Sequence, residues 1–377
     1  MKKYRICTNC VMDSSDPAIN FDKKGICSHC NSFYSKTLPY WKKLLNENSL
    51  AELKKDIILR RSNKSSYDCL IGLSGGIDSS YLVHLAVKEL KLKPLVFHVD
   101  SGWNSNIASN NIEKLIDKLN LDLYTEVINW KEMRDIQLSF FKSGVPHIDA
   151  PQDYAFFATL YKFASKFKIK TILTGANFST ECIRNPVDWM YYQSDDVQLR
   201  NIQKKFGTLK LKNFPKTHIL WHKLYLPYIK KIKVIRPLNY FNYDKEEAKN
   251  LLIKNYGWKP YPQKHFESRF TSFYEGFWLY ERFGYDVRRV QLSSLVLTKQ
   301  ISREKALNIL LEPPLEKKKI NLEKQFISDK LRINVELLDK FFYLPKKTYR
   351  DYPNQAFLYK LGSSIFKFLG LEIGGKG

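Results

Sequence analysis

From Tyr67 onward the chain alternates between two hydrophobic rhythms. Cys69 to Leu73 is a short unbroken apolar run, which reads as a buried strand, and Tyr81 to Val87 then carries an apolar stripe at helical spacing. The alternation continues with a strand over Pro94 to Asp100, a helix of about Ser105 to Leu119 and a strand over Leu121 to Ile128. Helices of about Trp130 to Lys142 and Asp153 to Lys166 follow, then strands at Thr171 to Leu173 and Val234 to Leu238. Strands alternating with helices predict an α/β fold with a parallel, doubly wound sheet and right-handed crossovers. Ser32 to Arg61 reads as amphipathic helix. Asp244 caps a helix that Gly257 ends, and Ser302 caps another that reaches Leu311. The remainder, Pro313 to Gly377, reads as helical and basic with a Gly-rich end. The expected organisation is a four-cysteine module at 1–35, a helical linker at 36–66, the sheet domain at 67–242 with an insertion at about 197–233, and a helical region at 243–377.

The first strand breaks into Leu73-Ser74-Gly75-Gly76-Ile77-Asp78-Ser79-Ser80 and then into a helix. Two glycines allow close approach of backbone to a ligand, and loop amides at a helix start suit a phosphate. Serine hydroxyls add donors. A carboxylate at Asp78 beside phosphate is reasonable where it holds Mg2+. The stretch is neither a Gly-Lys-Ser/Thr nucleotide loop nor a G-x-G-x-x-G fingerprint. It resembles the PP-loop of ATP pyrophosphatases, which cut ATP between its α and β phosphates.

Ligands of doubly wound sheets sit at the carboxyl ends of the strands. Three such ends are expected to converge: Ser74 to Ser80, His98-Val99-Asp100 with Ser101 to Trp103, and Thr174-Gly175-Ala176-Asn177. The PP-loop resemblance implies adenine at the second end and phosphate support at the fourth. Plain turn chemistry is the competing reading for Asp100 and Asn177. His147, Asp149 and Gln152 lie in a proline-flanked stretch that suits a substrate loop, while a helix N-cap at Asp153 explains the same residues equally well.

Cys7-x-x-Cys10 and Cys27-x-x-Cys30 have the spacing of a four-thiolate zinc site. An iron-sulfur cluster or reactive thiols are the alternatives. A module this small takes its fold from the metal.

The chain has 377 residues and a net charge of +24, which bears on partners rather than fold. From Val197 to Tyr243 there is no Asp or Glu, against eleven Lys or Arg interleaved with aromatics. Such a segment suits nucleic acid, an anionic membrane or an acidic partner, or is simply a solvated insertion. No apolar run reaches the ~18 residues of a spanning helix, and the N-terminus lacks a signal-peptide pattern. The expected location is the cytoplasm.

Further on, His265, Glu267, Arg269, Arg288 and Arg289 sit in a strongly aromatic frame, where structural ion pairs and substrate contacts are equally open. The cysteine module, the PP-loop, His98 to Trp103, Thr174 to Asn177, His265-Phe266-Glu267-Ser268-Arg269-Phe270-Thr271, Phe283 to Asp286 with Arg288-Arg289, and Leu292 to Leu295 occur in that order. Together they resemble the N-acetyl sugar amidotransferase family of the WbpG and PseA type. The resemblance implies an ATP-dependent carbon-nitrogen ligase that turns an acetamido sugar into an acetamidino sugar for lipopolysaccharide O-antigen or flagellar glycan. Its substrate would be a UDP-linked diacetamido sugar or a nonulosonic acid. Ammonia would come from a glutaminase (HisH-like) through a cyclase-like (HisF-like) subunit.

On that basis Asp78, His265 and Arg269 are the expected catalytic residues, with Asp78 on Mg2+. Leu73, Ser74, Gly75, Gly76, Ser79, Ser80, His98, Val99, Asp100, Thr174, Gly175 and Asn177 would hold ATP. His147, Asp149, Gln152, Glu267, Arg288 and Arg289 would meet the sugar, and the four cysteines would hold Zn2+. The rival is a PP-loop tRNA-modifying enzyme of the thiolase kind with an N-terminal zinc module. Sulfur transfer generally needs catalytic cysteines, and only Cys182 lies near a strand end, so nucleic acid is not the expected partner.

Overall fold

The apolar runs become five short strands: β1 (Cys69–Gly72), β2 (Pro94–Asp100), β3 (Leu123–Val127), β4 (Thr171–Leu173) and β5 (Lys233–Ile235). The structure is a computed structural model that describes residues 3–46 and 48–368. The expected Gly-rich end at 369–377 lies outside the described residues. All the strands are parallel, in the order β3-β2-β1-β4-β5.

Successive strand side chains point to opposite faces, and the core divides accordingly. Leu70, Leu95, Phe97, Val99 and Ile172 share one buried cluster with the helices Trp130–Ser143 and Ala150–Lys166. Cys69, Ile71, Leu73, Val96 and Leu173 share the other with Ile77–His84, Asn106–Leu119 and Lys245–Tyr256. Helices therefore cover both faces. The sheet grows outward from β1 in both directions, so the crevice between the ends of β1 and β4 is the topological switch point where such sheets bind ligands.

The helix punctuation follows the sequence. Ser105 accepts from the Ala108 amide, Asp244 from those of Glu246 and Glu247, and Ser302 from that of Lys305. Gly257 closes its helix at φ 65°, the left-handed conformation that glycine adopts without cost.

Several boundaries differ from the sequence reading. The helix expected from Asp153 begins at Ala150, with Asp149 at the cap position and Pro151 in its first turn, where its missing N–H is harmless. Asp153 is therefore not the cap. The stretch from Ser32 to Arg61 is broken after Leu44 and resumes as Ser49–Arg60. The last strand stops at Ile235, because Pro237 has no N–H for the ladder and opens a 3-10 turn, Pro237–Asn239.

The C-terminal helices do not form a separate core. Phe270, Phe273 and Trp278 belong to the same buried cluster as one face of the sheet. The cysteine module rests on the helix Arg288–Leu297, sharing a small core with Val290, Leu297 and Trp189. Arginines fasten it there: Arg289 pairs with Asp13 at 2.9 Å and donates to the Val11 carbonyl, and Arg303 donates to the Cys7 and Cys10 carbonyls.

Candidate active site

The loop after β1 is built for a close-fitting anion. Gly75 has φ +85°, and a Cβ there would lie 2.9 Å from the Ala108 carbonyl oxygen. Its own carbonyl is pinned by the Trp258 indole N–H and the Tyr261 hydroxyl, each at 3.1 Å. Gly76 precedes the helix Ile77–His84 and supplies no side chain to cap it, so the first amides of that helix are left for a ligand. Ser74 and Ser79 hydroxyls face each other at 3.2 Å. The Ser80 hydroxyl is fully buried without a partner. From β4, Gly175 lies against the Asp78–Ser79 backbone, where a Cβ would stand 2.9 Å from the Asp78 carbonyl carbon. The loops after β1 and β4 are thus in contact, as the sequence reading expected.

Asp78 does not stand alone. Its Oδ1 accepts from the Tyr243 hydroxyl at 2.7 Å and its Oδ2 lies 2.9 Å from the Lys264 ammonium, which also reaches Glu181 at 2.6 Å. Burial opposes the charge on Asp78, but Lys264 and Lys245 beside it, with the Tyr243 hydroxyl, hold its pKa below the usual carboxylate range. Burial likewise opposes the Lys264 charge, and Asp78 with Glu181 outweighs it, so the ammonium is retained. The residues fit a Mg2+-phosphate site: an ionised carboxylate stands in the first turn of a helix whose opening amides are uncapped, while the Ser74 and Gly76 amides are taken by the Ser79 and Ser74 hydroxyls.

At the end of β2, His98 Nδ1 is 2.8 Å from the Leu73 carbonyl and its Nε2 is 2.9 Å from the Asn104 amide nitrogen. These partners assign a neutral imidazole with the proton on Nδ1, in accord with a pKa lowered by burial. Val99 is buried in the core. Asp100 accepts from the Gly102 amide and Asn177 from that of Thr180, so both perform turn chemistry at the crevice rim. Thr174 also turns back on its own loop, accepting from Ala176.

Two distant stretches meet here. Asn104 forms an antiparallel bridge with Ser268, flanked by Ser105 N–H to Glu267 O and Arg269 N–H to Trp103 O, both at 2.9 Å. That bridge delivers Glu267 to the loop, where its Oε1 accepts from Ser74 Oγ at 3.2 Å and stands 2.7 Å from where a Gly76 Cβ would be.

Beside it lies a carboxylate-rich wall. Asp149 accepts from Thr271 and Gln152, and Gln152 in turn accepts from Ser101. Burial and neighbouring Asp153 raise the Asp149 pKa well above normal, and burial with nearby Glu275 raises Asp153 to about 6. His265, at φ +67°, is 2.9 Å from Glu275. Burial opposes its charge, but Glu275 prevails and its pKa rises to about 9.

Four expected substrate or catalytic residues are engaged elsewhere. Arg288 is buried against Asp286 at 2.7 Å and donates to the Ile309 and Glu312 carbonyls, a structural role. Arg289 is committed to the cysteine module. His147 is buried, 2.8 Å from Gln198, with its pKa lowered by burial to about 4. Arg269 forms a forked pair with Glu323 and stacks 3.4 Å over the Phe326 ring. Conversely, Tyr243, Lys264, Glu181 and Glu275 reach the site without having been singled out. Lys264 adjoins the His265-to-Thr271 stretch, which was the available signal.

The four module cysteines are buried, with Sγ atoms within 4.8 Å of one another and closest separations of 3.6, 3.7 and 3.8 Å. Cys27 and Cys10 amides donate to Cys7 Sγ, the knuckle pattern of a thiolate metal site. Among the described residues no helix is long and apolar enough to cross a membrane.

Residues 267–365 match the family model for the C-terminal domain of WbpG-like LPS biosynthesis proteins, and residues 68–176 match that for the phosphoadenosine phosphosulfate reductase domain. No curated protein matches the chain. Among solved structures, an NH3-dependent NAD synthetase from Campylobacter jejuni is similar at 15% identity and TM-score 0.30, over 59% of this chain and 99% of its own. The U34-tRNA thiolase NcsA from Methanococcus maripaludis, solved with its 4Fe-4S cluster, is similar at 16% identity and TM-score 0.32, over 92% and 89%. An NMN synthetase from Francisella tularensis is similar at 18% identity and TM-score 0.29, over 62% and 91%. Likeness at that level leaves activity to be argued from the residues. The chain thus joins a phosphoadenosine phosphosulfate reductase-type domain match, with its glycine loop at the switch point, to a match with the WbpG-like C-terminal domain.

Proposed function

We propose that the protein is an ATP-dependent amidotransferase acting on the acetamido group of an N-acetylated sugar, either UDP-linked or a nonulosonic acid. The observation that carries this reading is the Asn104–Ser268 bridge, which sets Glu267 of the WbpG-like domain 3.2 Å from Ser74 of the PP-loop. One crevice thereby has an ATP-handling wall and a wall from the domain that distinguishes this type.

An amide carbonyl is a poor electrophile, so its oxygen must first be made a leaving group. That oxygen attacks the α-phosphorus of ATP, the bond to the β-phosphate oxygen breaks, and pyrophosphate departs. Ammonia then adds to the adenylated carbon, loses a proton, and expels AMP to leave the amidine. The opening amides of the helix Ile77–His84, with Ser74 and Ser79, hold phosphate in line, which is catalysis by positioning and charge neutralisation. Asp78 would hold Mg2+, with Glu267 within reach of the same phosphates. When bound, the ion neutralises developing pyrophosphate charge. Asp153 and the His265–Glu275 pair are the titratable groups proposed to move the ammonia proton.

For the cysteine site, zinc is supported by spacing. A tetrahedral ion with Zn–S of about 2.3 Å needs S···S edges of about 3.8 Å, and the closest separations are 3.6–3.8 Å. A four-iron cube carries each thiolate on its own corner and needs a wider cage. The thiolase alternative is weakened by its cysteines: burial raises Cys182 to about 12 and raises the strand-buried Cys69 as well, the reverse of an activated thiol. Ammonia would be delivered by a glutaminase with a cyclase-like subunit, and the cytoplasm is the compartment where those substrates meet.

The test is incubation with ATP, Mg2+, ammonium and a panel of UDP-diacetamido sugars and nonulosonic acids. Expected are AMP, pyrophosphate and a product about one mass unit lighter that is cationic at neutral pH, as an amide is not. Absence of AMP with every sugar, or AMP formed only with tRNA, refutes the reading.

A further inference from the structure

The acid-free stretch contains the helix Trp221–Ile229, whose two sides differ sharply. Leu226 is buried and the His222 ring packs 4.6 Å from Tyr161. Outward, Leu220, Leu224, Tyr225, Tyr228 and Ile229 are 38–69% exposed. Beside it runs the C-terminal helix Ala356–Phe368, with Phe357, Leu358 and Leu361 exposed at 42–73%. A cavity of about 660 Å³, lined by Leu220, Trp221 and Leu358, joins the two helices, so their apolar side chains form one surface. Lys216 and the ion pair of Arg200 with Asp196 line the same cavity, and Lys230 and Lys231 follow directly on the helix; Lys216, Lys230 and Lys231 have no ion-pair partner among the described residues.

We propose that this face seats the protein on an anionic lipid bilayer. Soluble proteins rarely expose a contiguous apolar patch without a partner. Here the patch is helical and aliphatic, with tyrosines at its edge and lysines around it. Those are the features of a helix lying in a membrane interface, its apolar side among acyl chains and its lysines at anionic headgroups. Asp196 is paired with Arg200, so the unpaired charges around the patch, Lys216, Lys230 and Lys231, are all positive, which favours a uniformly anionic surface over a protein partner, whose patches mix signs. No described helix can span a bilayer, so the association is peripheral.

The test is sedimentation of the full chain with vesicles of phosphatidylcholine alone or mixed with phosphatidylglycerol. Binding to the anionic vesicles should be ~10-fold tighter or more at low salt, given the gain expected per lysine near such a surface, and should weaken as salt rises. Leu224→Glu with Ile229→Glu should abolish it with an unchanged melting temperature. Lys216→Glu with Lys231→Glu, which leaves the apolar face intact, should abolish only the preference for anionic lipid. Equal binding to both vesicle types, no binding, or indifference to both double variants overturns the proposal. So does a dimer that Leu224→Glu dissolves in the absence of lipid, or loss of RNA or glutaminase binding in variants that still sediment with vesicles.

Discussion

The ammonium of Lys264 lies 2.9 Å from the Asp78 carboxylate and 2.6 Å from Glu181, with Lys264 and Asp78 both largely buried. A cation thus already occupies the carboxylate that faces the phosphate loop. Removing one partner of a buried pair strands the other, so Lys264→Met should cost about 3–5 kcal/mol in chemical denaturation. The double variant Lys264→Met with Asp78→Asn should cost less than the sum of the two singles, because neither leaves the same uncompensated charge. Additive costs would mean the pair is not coupled. Asp78→Asn alone should keep the fold and lose sugar-dependent AMP formation.

Gly75 and Gly76 should respond differently to alanine. At Gly75 the positive φ costs a Cβ roughly 1–2 kcal/mol, and that Cβ would press on the Ala108 backbone, which cannot swing aside. At Gly76 φ is −71° and the obstacle is the end of the Glu267 side chain. Gly75→Ala should therefore lower the melting temperature and ATP affinity together. Gly76→Ala should change stability by less than about 0.5 kcal/mol, the range of a tolerated substitution, while displacing Glu267 from Ser74. Equal melting temperatures for the two variants would contradict this placement.

The legible parts of the molecule were those whose signal is local. The strand runs, the Asp244 and Ser302 caps and the two cysteine knuckles each depend on residues within a few positions, and the structure has them. The parallel, doubly wound arrangement also followed from alternation, because strands joined through helices in one sheet have few allowed topologies. The site was less legible. Arg288 and Arg289 looked like substrate residues because charges among aromatics need partners, but the partners, Asp286 and Asp13, were as compatible with the sequence as any sugar phosphate. Lys264 escaped notice because nothing local distinguishes a lysine bound for a buried aspartate 186 residues away. The Asn104–Ser268 bridge was hidden for the same reason: it is a backbone contact between segments whose pairing no periodicity encodes.

The cysteine module should be coupled to the stability of the C-terminal helices rather than merely appended to them. Arg303 donates to the Cys7 and Cys10 carbonyls, and Val290 and Leu297 share the module's core. Metal binding supplies the fold of such a module. Cys27→Ser or a strong chelator should therefore lower the melting temperature of the whole chain, in one transition, instead of releasing a floppy N-terminus from an unchanged remainder. Elemental analysis should find one zinc per chain in a colourless protein. Iron with visible absorbance would refute zinc, and a separate low-temperature transition would refute the coupling.

His147 should make the protein sensitive to mild acid. It is buried with one hydrogen bond to Gln198, and its pKa falls to about 4 from the usual 6.5. Between those values the unfolded chain binds a proton that the folded chain refuses, so stability rises with pH across that window. The stabilisation is complete above pH 6.5 and is lost as pH falls towards 4, with a ceiling of about 3 kcal/mol from a shift of that size. Asp149, two residues on, works in the opposite sense: its raised pKa favours the protonated folded state, so its contribution declines as pH rises. The two are separated by His147→Gln, whose amide can still donate to Gln198 but does not titrate. The difference in unfolding free energy between this variant and the parent should change by about 1–3 kcal/mol between pH 7 and pH 4.5, in the variant's favour at the acid end. A difference that does not vary with pH would mean that His147 is either charged or accessible in the folded protein.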